Sequence, residues 1–156
     1  MNHQMTVKLN PQAIHIAVVI LYQNKKFLMQ LRDNIPNIIS PGCWGLFGGH
    51  LEPGETPEKA VQREVKEEIN YELTNFEKFN IYADEKVIRH VYHAPLLVEL
   101  NQLVLEEGWD MALLTSQEIL LDKCYSVKAG EIRPFAPKPH QIMIDFINSD
   151  FIKSIN

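Results

Sequence analysis

GHLEPGETPEKAVQREVKEEINY, residues 49 to 71, places a glycine, a lone glutamate and an Arg-Glu-Val-Lys-Glu-Glu cluster along one loop and one helix. Thr56 is a good N-cap, Pro57 suits the first helical position, and Glu58 complements the positive helix end. The spacing predicts a helix to Ile69, with Asn70 as a left-handed terminator. At about 100° per residue, Val61, Val65 and Ile69 form one apolar stripe roughly 80° wide. Glu64 and Glu68 lie about 20 to 60° from Val61 on one flank, and Glu67 lies further round. These acids therefore border the core-facing stripe. Glu64 meets both Glu67 and Glu68, and such like-charge neighbours repel by a few tenths of a kcal/mol per pair, more when desolvated.

A divalent cation with hard oxygen ligands relieves that repulsion; magnesium takes one or two carboxylates with waters and substrate phosphates. A solvated helix face, its acids paired with Lys59, Arg63 and Lys66, explains the spacing alone equally well. The preceding loop favours a site. Phe47-Gly48-Gly49 ends a strand, and paired glycines let backbone approach a ligand closely. Pro53-Gly54 turns the chain back, and Glu55 precedes the helix cap.

Working outward, Ala13 to Tyr22 and Lys26 to Arg32 read as strands joined by a turn at Gln23-Asn24-Lys25. Asp33 to Cys43, with Pro36, Pro41 and Gly42, is an irregular loop, and Trp44 to Phe47 a short strand. Phe76 to Ala83, Lys86 to His93, Leu96 to Leu103 and Trp109 to Leu114 are expected strands. Thr115 to Glu118 has capping-box spacing before a helix reaching about Lys123. Ile142, Met143, Phe146 and Ile147 recur at helical spacing, which predicts a C-terminal helix from Pro139 to about Ile152. Strands, a helix, more strands and then helices describe an α/β layered sheet without strict βαβ alternation.

The 156 residues suffice for a single domain with its own core. A hydrophobic share of 46% with 22% charged residues excludes wholesale disorder. A net charge of -5 argues against broad binding of nucleic-acid backbones, so no stable nucleic-acid partner is expected. Cys43 and Cys124 read as free thiols, and His90 and His93 lack further ligands at zinc spacing. The N-terminal MNHQMTVKLNP has no apolar leader pattern, and no stretch is long enough to span a membrane. A soluble cytoplasmic protein is the expectation.

The segment from Gly49 to Tyr71 resembles the Nudix box: Gly, five residues, Glu, seven residues, Arg-Glu, an apolar residue, any residue, Glu-Glu, any residue, Gly, and an apolar residue. Gly49, Glu55, Arg63, Glu64, Val65, Glu67 and Glu68 stand in register. Asn70 replaces the usual Gly, which is a mild departure because Asn tolerates the left-handed conformation. Tyr71 replaces an aliphatic and keeps its bulk. The early strands, the Trp-Gly-Leu-Phe-Gly-Gly entry and the later strand order also look like a Nudix domain. The resemblance implies an α/β/α sandwich around a mixed sheet, from about Ala13 to Ile152.

It also implies a magnesium-dependent (or Mn²⁺-dependent) pyrophosphohydrolase acting on a nucleoside diphosphate linked to another group. Modified nucleoside triphosphates, nucleotide sugars and dinucleoside polyphosphates remain open as substrates. By position, Glu64, Glu67 and Glu68 with the Gly48 carbonyl would hold the metal, and Arg63 would orient the acids. Glu67 or Glu64 is the first choice of general base, with Glu107, beside Glu106, in reserve. Arg32, His50 and Gly49 are candidate substrate contacts, though Arg32 reads equally as a surface arginine, and His50, after the glycine pair, either faces the phosphates or plays no part. Trp44 either stacks on a base or sits in the core. Of Arg89, His90, Tyr92 and His93, alternating along a strand, one pair can line a pocket. The alternative is a non-catalytic nucleotide-binding or regulatory module on the same fold. A homodimer is left open.

Overall fold

A computed structural model describes residues 12–154, with the side chain of Ser154 excluded. The MNHQMTVKLNP stretch lies outside the described residues.

Strands β1 (Ile14–Gln23) and β2 (Lys26–Leu31) form a hairpin whose turn residues Asn24 and Lys25 have φ of 50° and 62°. Positive φ at both positions suits the right-handed twist of the flanking strands. The two strands then diverge. The segment after the irregular loop fills the gap: β3 (Trp44–Gly45) pairs with β2, and β4 (Phe47–His50) pairs with β1. The expected single strand is therefore broken at Leu46, where it changes partner. On its other edge β1 runs parallel to β6 (Val87–Pro95), which pairs antiparallel with β5 (Glu77–Ala83). Strand β7 (Asp110–Thr115) extends the sheet beyond β2, giving seven mixed strands.

Alternation along β1 divides the core. Ala17, Val19 and Leu21 face helix α1 (Pro57–Ile69), which buries Ala60, Val61, Val65 and Ile69 against them. On the opposite face Ile20, with Phe27, Met29 and Leu31 of β2, packs on Ile142, Met143 and Phe146. Those three belong to a helix spanning Pro137–Ile147, two residues earlier at its start than its periodicity suggests. With the intervening short helix α2 (Ser116–Leu120) numbered in chain order, this C-terminal helix is α3. The result is the α/β/α sandwich.

Helix α1 begins and ends as its sequence predicts. Thr56 Oγ1 accepts from Lys59 N, and Asn70 terminates the helix at φ 53°, ψ 43°. Tyr71 is buried, and its hydroxyl accepts the Leu97 N–H at 3.1 Å. Three other expectations need correction. Leu96 to Leu103 is not a strand but a loop with a 3₁₀ turn at Leu100–Gln102. Its backbone is taken by side chains: Gln23 Nε2 donates to the carbonyls of Leu96 and Val98, at 3.0 and 2.7 Å. Helix α2 ends at Leu120, and β8 (Lys123–Ser126) and β9 (Glu131–Pro134) form a separate hairpin that periodicity did not reveal. Finally, α3 stops at Ile147, and a further turn of helix, α4, covers Phe151–Ser154.

Candidate active site

The β1–β4 pairing brings two glycines against α1. Gly48 has φ 142°, and a Cβ there would run into the Ala17 carbonyl. A Cβ on Gly49 would stand 2.6 Å from the Glu64 carboxyl carbon. Only glycine lets the strand and the carboxylate approach this closely. The Gly48 N–H donates to Glu68 Oε1 at 2.8 Å, tying the strand end to the helix.

Arg63 organises the helix's outer edge. Its Nε and Nη2 donate to the two carboxylate oxygens of Glu55, at 2.8 and 2.9 Å, in a bidentate pair. Nη1 reaches Glu64 at 3.0 Å and Glu67 at 3.3 Å, and Nη2 also donates to the His50 carbonyl at 3.0 Å. The planar fork fits this work, since an ammonium cannot hold both oxygens in fixed geometry. The Arg63 hydrogen bonds hold the Glu55 carboxyl down at about 2. Glu55 in turn accepts the Glu52 N–H at 3.0 Å, so the loop from His50 to Thr56 is fastened to the helix at two points.

The acids facing inward behave differently. Glu68 is only 4% exposed, and burial pushes its carboxyl up to about 8 despite the Gly48 hydrogen bond, with Glu64 and Glu107 adding to the rise. Burial also raises Glu64, against the opposing pull of Arg63. Glu67 is half exposed and turned toward Arg63. Among the described residues no three acids are already gathered as a metal cage. The donor chemistry nevertheless fits a hard divalent cation, for oxygen ligands crowded in a desolvated place are those that Mg²⁺ or Mn²⁺ would stabilise in ionised form.

Glu68 and Glu107 also line a cleft of about 500 Å³ with Gln30, Arg32, Asp33, Ile35, Ile38, Glu106 and Gly108. The wall opposite α1 is built tightly. Glu106 N donates to the Glu68 carbonyl at 2.8 Å, Gln30 Nε2 to the Glu107 carbonyl at 2.8 Å, and Trp109 N to the Leu31 carbonyl at 2.8 Å. Arg32 borders the cleft while its Nε donates to the Ile39 carbonyl at 2.7 Å. The structure thus brings Gly48, Gly49, Glu64, Glu68, Arg63 and Glu67 together, with Glu107 and Arg32 across the cleft. The His50 side chain is exposed and does not line the cleft; its backbone carbonyl is what the site uses.

The remaining aromatic and histidine candidates serve packing. Trp44 is wholly buried, its indole N–H donating to the Cys124 carbonyl at 3.1 Å. Tyr92 bonds Glu58 and His90 pairs with His15, while His93 lies among Tyr22, Phe146 and Phe151 on the other face. Asp33, Ile35 and Ile38 were not anticipated at the cleft. The signal was present as three isoleucines in a proline-containing loop, where burial gives no reason for them.

An α/β/α sandwich whose glycine-paired strand end meets an acid-lined, arginine-strapped helix defines a class of domain. The NUDIX domain model matches residues 11–132, most of the chain, and the protein belongs to the Nudix family. A MutT Nudix hydrolase structure from Burkholderia pseudomallei superposes with a TM-score of 0.65 at 20% identity, covering 86% of this chain and 97% of that one, which supports the fold. A Bacillus subtilis (strain 168) protein provisionally named 8-oxo-dGTP diphosphatase is 32% identical over 69 residues, 44% of this chain and 42% of its own. Nucleoside triphosphatase NudI of Salmonella agona (strain SL483) is 44% identical over 55 residues, 34% of this chain and 38% of its own. The chain thus spans less than half the length of these curated relatives. Among the described residues no helix is long and apolar enough to cross a membrane.

Proposed function

We propose that the protein is a Mg²⁺- or Mn²⁺-dependent pyrophosphohydrolase that cleaves a phosphoanhydride in a nucleoside diphosphate derivative. The observation that carries this reading is the pair Glu64 and Glu68, desolvated side by side at a strand end that only glycines permit. Packing alone does not favour two such acids, because each resists ionisation there. Glu64, Glu67, Glu68 and the Gly48 carbonyl would hold the metal. When bound, such an ion neutralises phosphate oxygens and lowers the pKa of an attacking water.

The chain's own residues supply the rest. Arg63 keeps Glu64 and Glu67 oriented and joins them to the loop through Glu55, a positioning role. Glu67 or Glu64 takes the proton from the attacking water, with Glu107 across the cleft as the reserve base. Arg32 offers charge to a substrate phosphate at the cleft wall, which otherwise carries Asp33, Glu68, Glu106 and Glu107. The names of the relatives matching about a third or more of this chain, 8-oxo-dGTP diphosphatase and nucleoside triphosphatase, favour nucleoside triphosphates over nucleotide sugars and dinucleoside polyphosphates.

The test is product release from nucleoside triphosphates, nucleotide sugars, ADP-ribose and dinucleoside polyphosphates, with and without Mg²⁺, beside Glu67→Gln. Metal-dependent turnover that falls in the variant is the expected result. Nucleotide binding without turnover of any compound would overturn the hydrolase reading in favour of a binding module.

A further inference from the structure

The cleft has one wall that metal chemistry does not account for. Ile35 and Ile38 line it, and Ile35 and the neighbouring Ile39 are 52% and 74% exposed. Two branched apolar side chains, Ile35 and Ile38, among the mostly polar lining of the cleft are costly in water. The loop bearing them is held in place. Its interior residues Asn37 and Ser40 sit at positive φ, 72° and 51°. Just beyond β2, Arg32 Nε donates to the Ile39 carbonyl at 2.7 Å, and the Gly42 N–H returns to the Asp33 carbonyl at 3.1 Å.

The second clamp comes from far along the chain. Arg133, on β9 and one residue beyond the segment matching the family model, donates Nε to the Gly42 carbonyl at 2.8 Å. Its guanidinium lies 5.9 Å from the centroid of the Trp109 ring and pairs with Glu131 at 3.2 Å. At Gly42 (φ 66°) a Cβ would collide with the Arg133 guanidinium. Through its bond to the Gly42 carbonyl, Arg133 joins the β8–β9 hairpin to the cleft wall.

We propose that the loop from Asp33 to Gly42 is the specificity wall of the cleft: Ile35 and Ile38 pack against the flat, uncharged face of a nucleobase, and Arg133 positions that wall. The proposal rests on the hydrolase reading and names the part of the substrate that this end of the site reads. A second sugar would need hydrogen-bond partners that isoleucine side chains do not offer, whereas a base presents an apolar π-face. Pinning by two arginines lowers the ordering cost of binding, so its loss appears in affinity more than in the chemical step.

The experiment compares a non-hydrolysable nucleoside triphosphate with inorganic tripolyphosphate, following Trp109 fluorescence in the presence of Mg²⁺. Because binding is read without turnover, failure of the hydrolase reading and failure of this one are separable. Ile35→Ser with Ile38→Ser is expected to weaken nucleotide binding about tenfold, in keeping with two partly buried aliphatic side chains, and to shift tripolyphosphate affinity less than about twofold. Arg133→Gln should weaken nucleotide binding severalfold, raise KM more than it lowers kcat on any nucleotide turned over, and be partly rescued by Arg133→Lys. In the Arg133→Gln background the isoleucine changes should cost less than alone, because the wall is already displaced. Equal losses for nucleotide and tripolyphosphate, or full additivity of the Arg133 and isoleucine changes, would overturn the proposal.

Discussion

Glu68 and His93 are buried to nearly the same degree, 4% and 5% exposed, on opposite faces of one sheet. Burial opposes the charged form of each, raising the carboxyl and lowering the imidazole. Their surroundings differ. Glu68 holds the Gly48 N–H, has Glu64 and Glu107 nearby, and opens onto the cleft. His93 has no hydrogen-bond partner for either ring nitrogen among the described residues and is packed against Tyr22, Phe146 and Phe151, with Glu77 3.8 Å away at the edge. The α1 face keeps acids where burial opposes their ionisation, a cost that the proposed metal would offset. The α3 face is built for cohesion, and His93 there is an imidazole whose burial disfavours its charged form.

The largest expected effect separates the faces by stability. Phe146 is wholly buried in the α3 cluster and makes edge-on contacts with Phe27 and Phe79. Phe146→Ala should cost about 3–5 kcal/mol in urea denaturation. If Phe146→Ala cost less than about 1 kcal/mol, the α3 face would not carry the fold. Glu64→Gln should behave in the opposite way, lowering kcat about a hundredfold or more while the metal-free protein melts at the same or a higher temperature. A variant that lost activity only by unfolding would erase the contrast.

Arg63→Lys keeps the charge but not the fork that holds Glu55, Glu64 and Glu67. A loss of about 10- to 100-fold in metal affinity, measured by Mn²⁺ titration, is expected. The pH dependence of stability has opposite signs on the two faces. Glu68 titrates near 8 in the folded chain against an ordinary 4.5, so the unfolded chain binds fewer protons between those values. Metal-free stability should therefore fall as pH rises from about 5 to 8, and Glu68→Gln should flatten that limb. The His93 imidazole lies below its ordinary 6.5, so its contribution is present above pH 6.5 and is lost as pH falls from there through the folded value. His93→Phe should flatten only the acid limb. Melting curves across pH 4.5–8.5 check both, and flattening of the same limb by both variants would break the comparison.

How much was legible follows the same division. Local rules fixed α1 at both ends, because Thr56, Pro57 and Asn70 are capping residues whose effect does not depend on distant packing. The pairing of Arg63 with Glu64 and Glu67 follows from helical neighbours, and the β1–β2 turn from Asn24-Lys25, whereas the bidentate pair with Glu55 was not read from the sequence. What failed depended on partners far along the chain. Leu96 to Leu103 has the apolar content of a strand, but Gln23 and Tyr71 take its backbone groups. The β8–β9 hairpin is too short for periodicity to register. The Ile35–Ile38 wall is a loop whose place depends on Arg32 and on Arg133, 91 residues from the carbonyl it binds. His50 was read by its side chain, whereas the fold uses its carbonyl.

The measurement closest to the central claim is amide-signal broadening by substoichiometric Mn²⁺ in ¹⁵N spectra of the protein and of a Glu64→Gln, Glu68→Gln variant. Broadening is expected to centre on Gly48, Gly49 and the Glu64–Glu68 turn of α1, to reach Glu107 across the cleft, and to disappear in the variant. Broadening centred on the His15–His90 pair, or unchanged by loss of both acids, would contradict that claim.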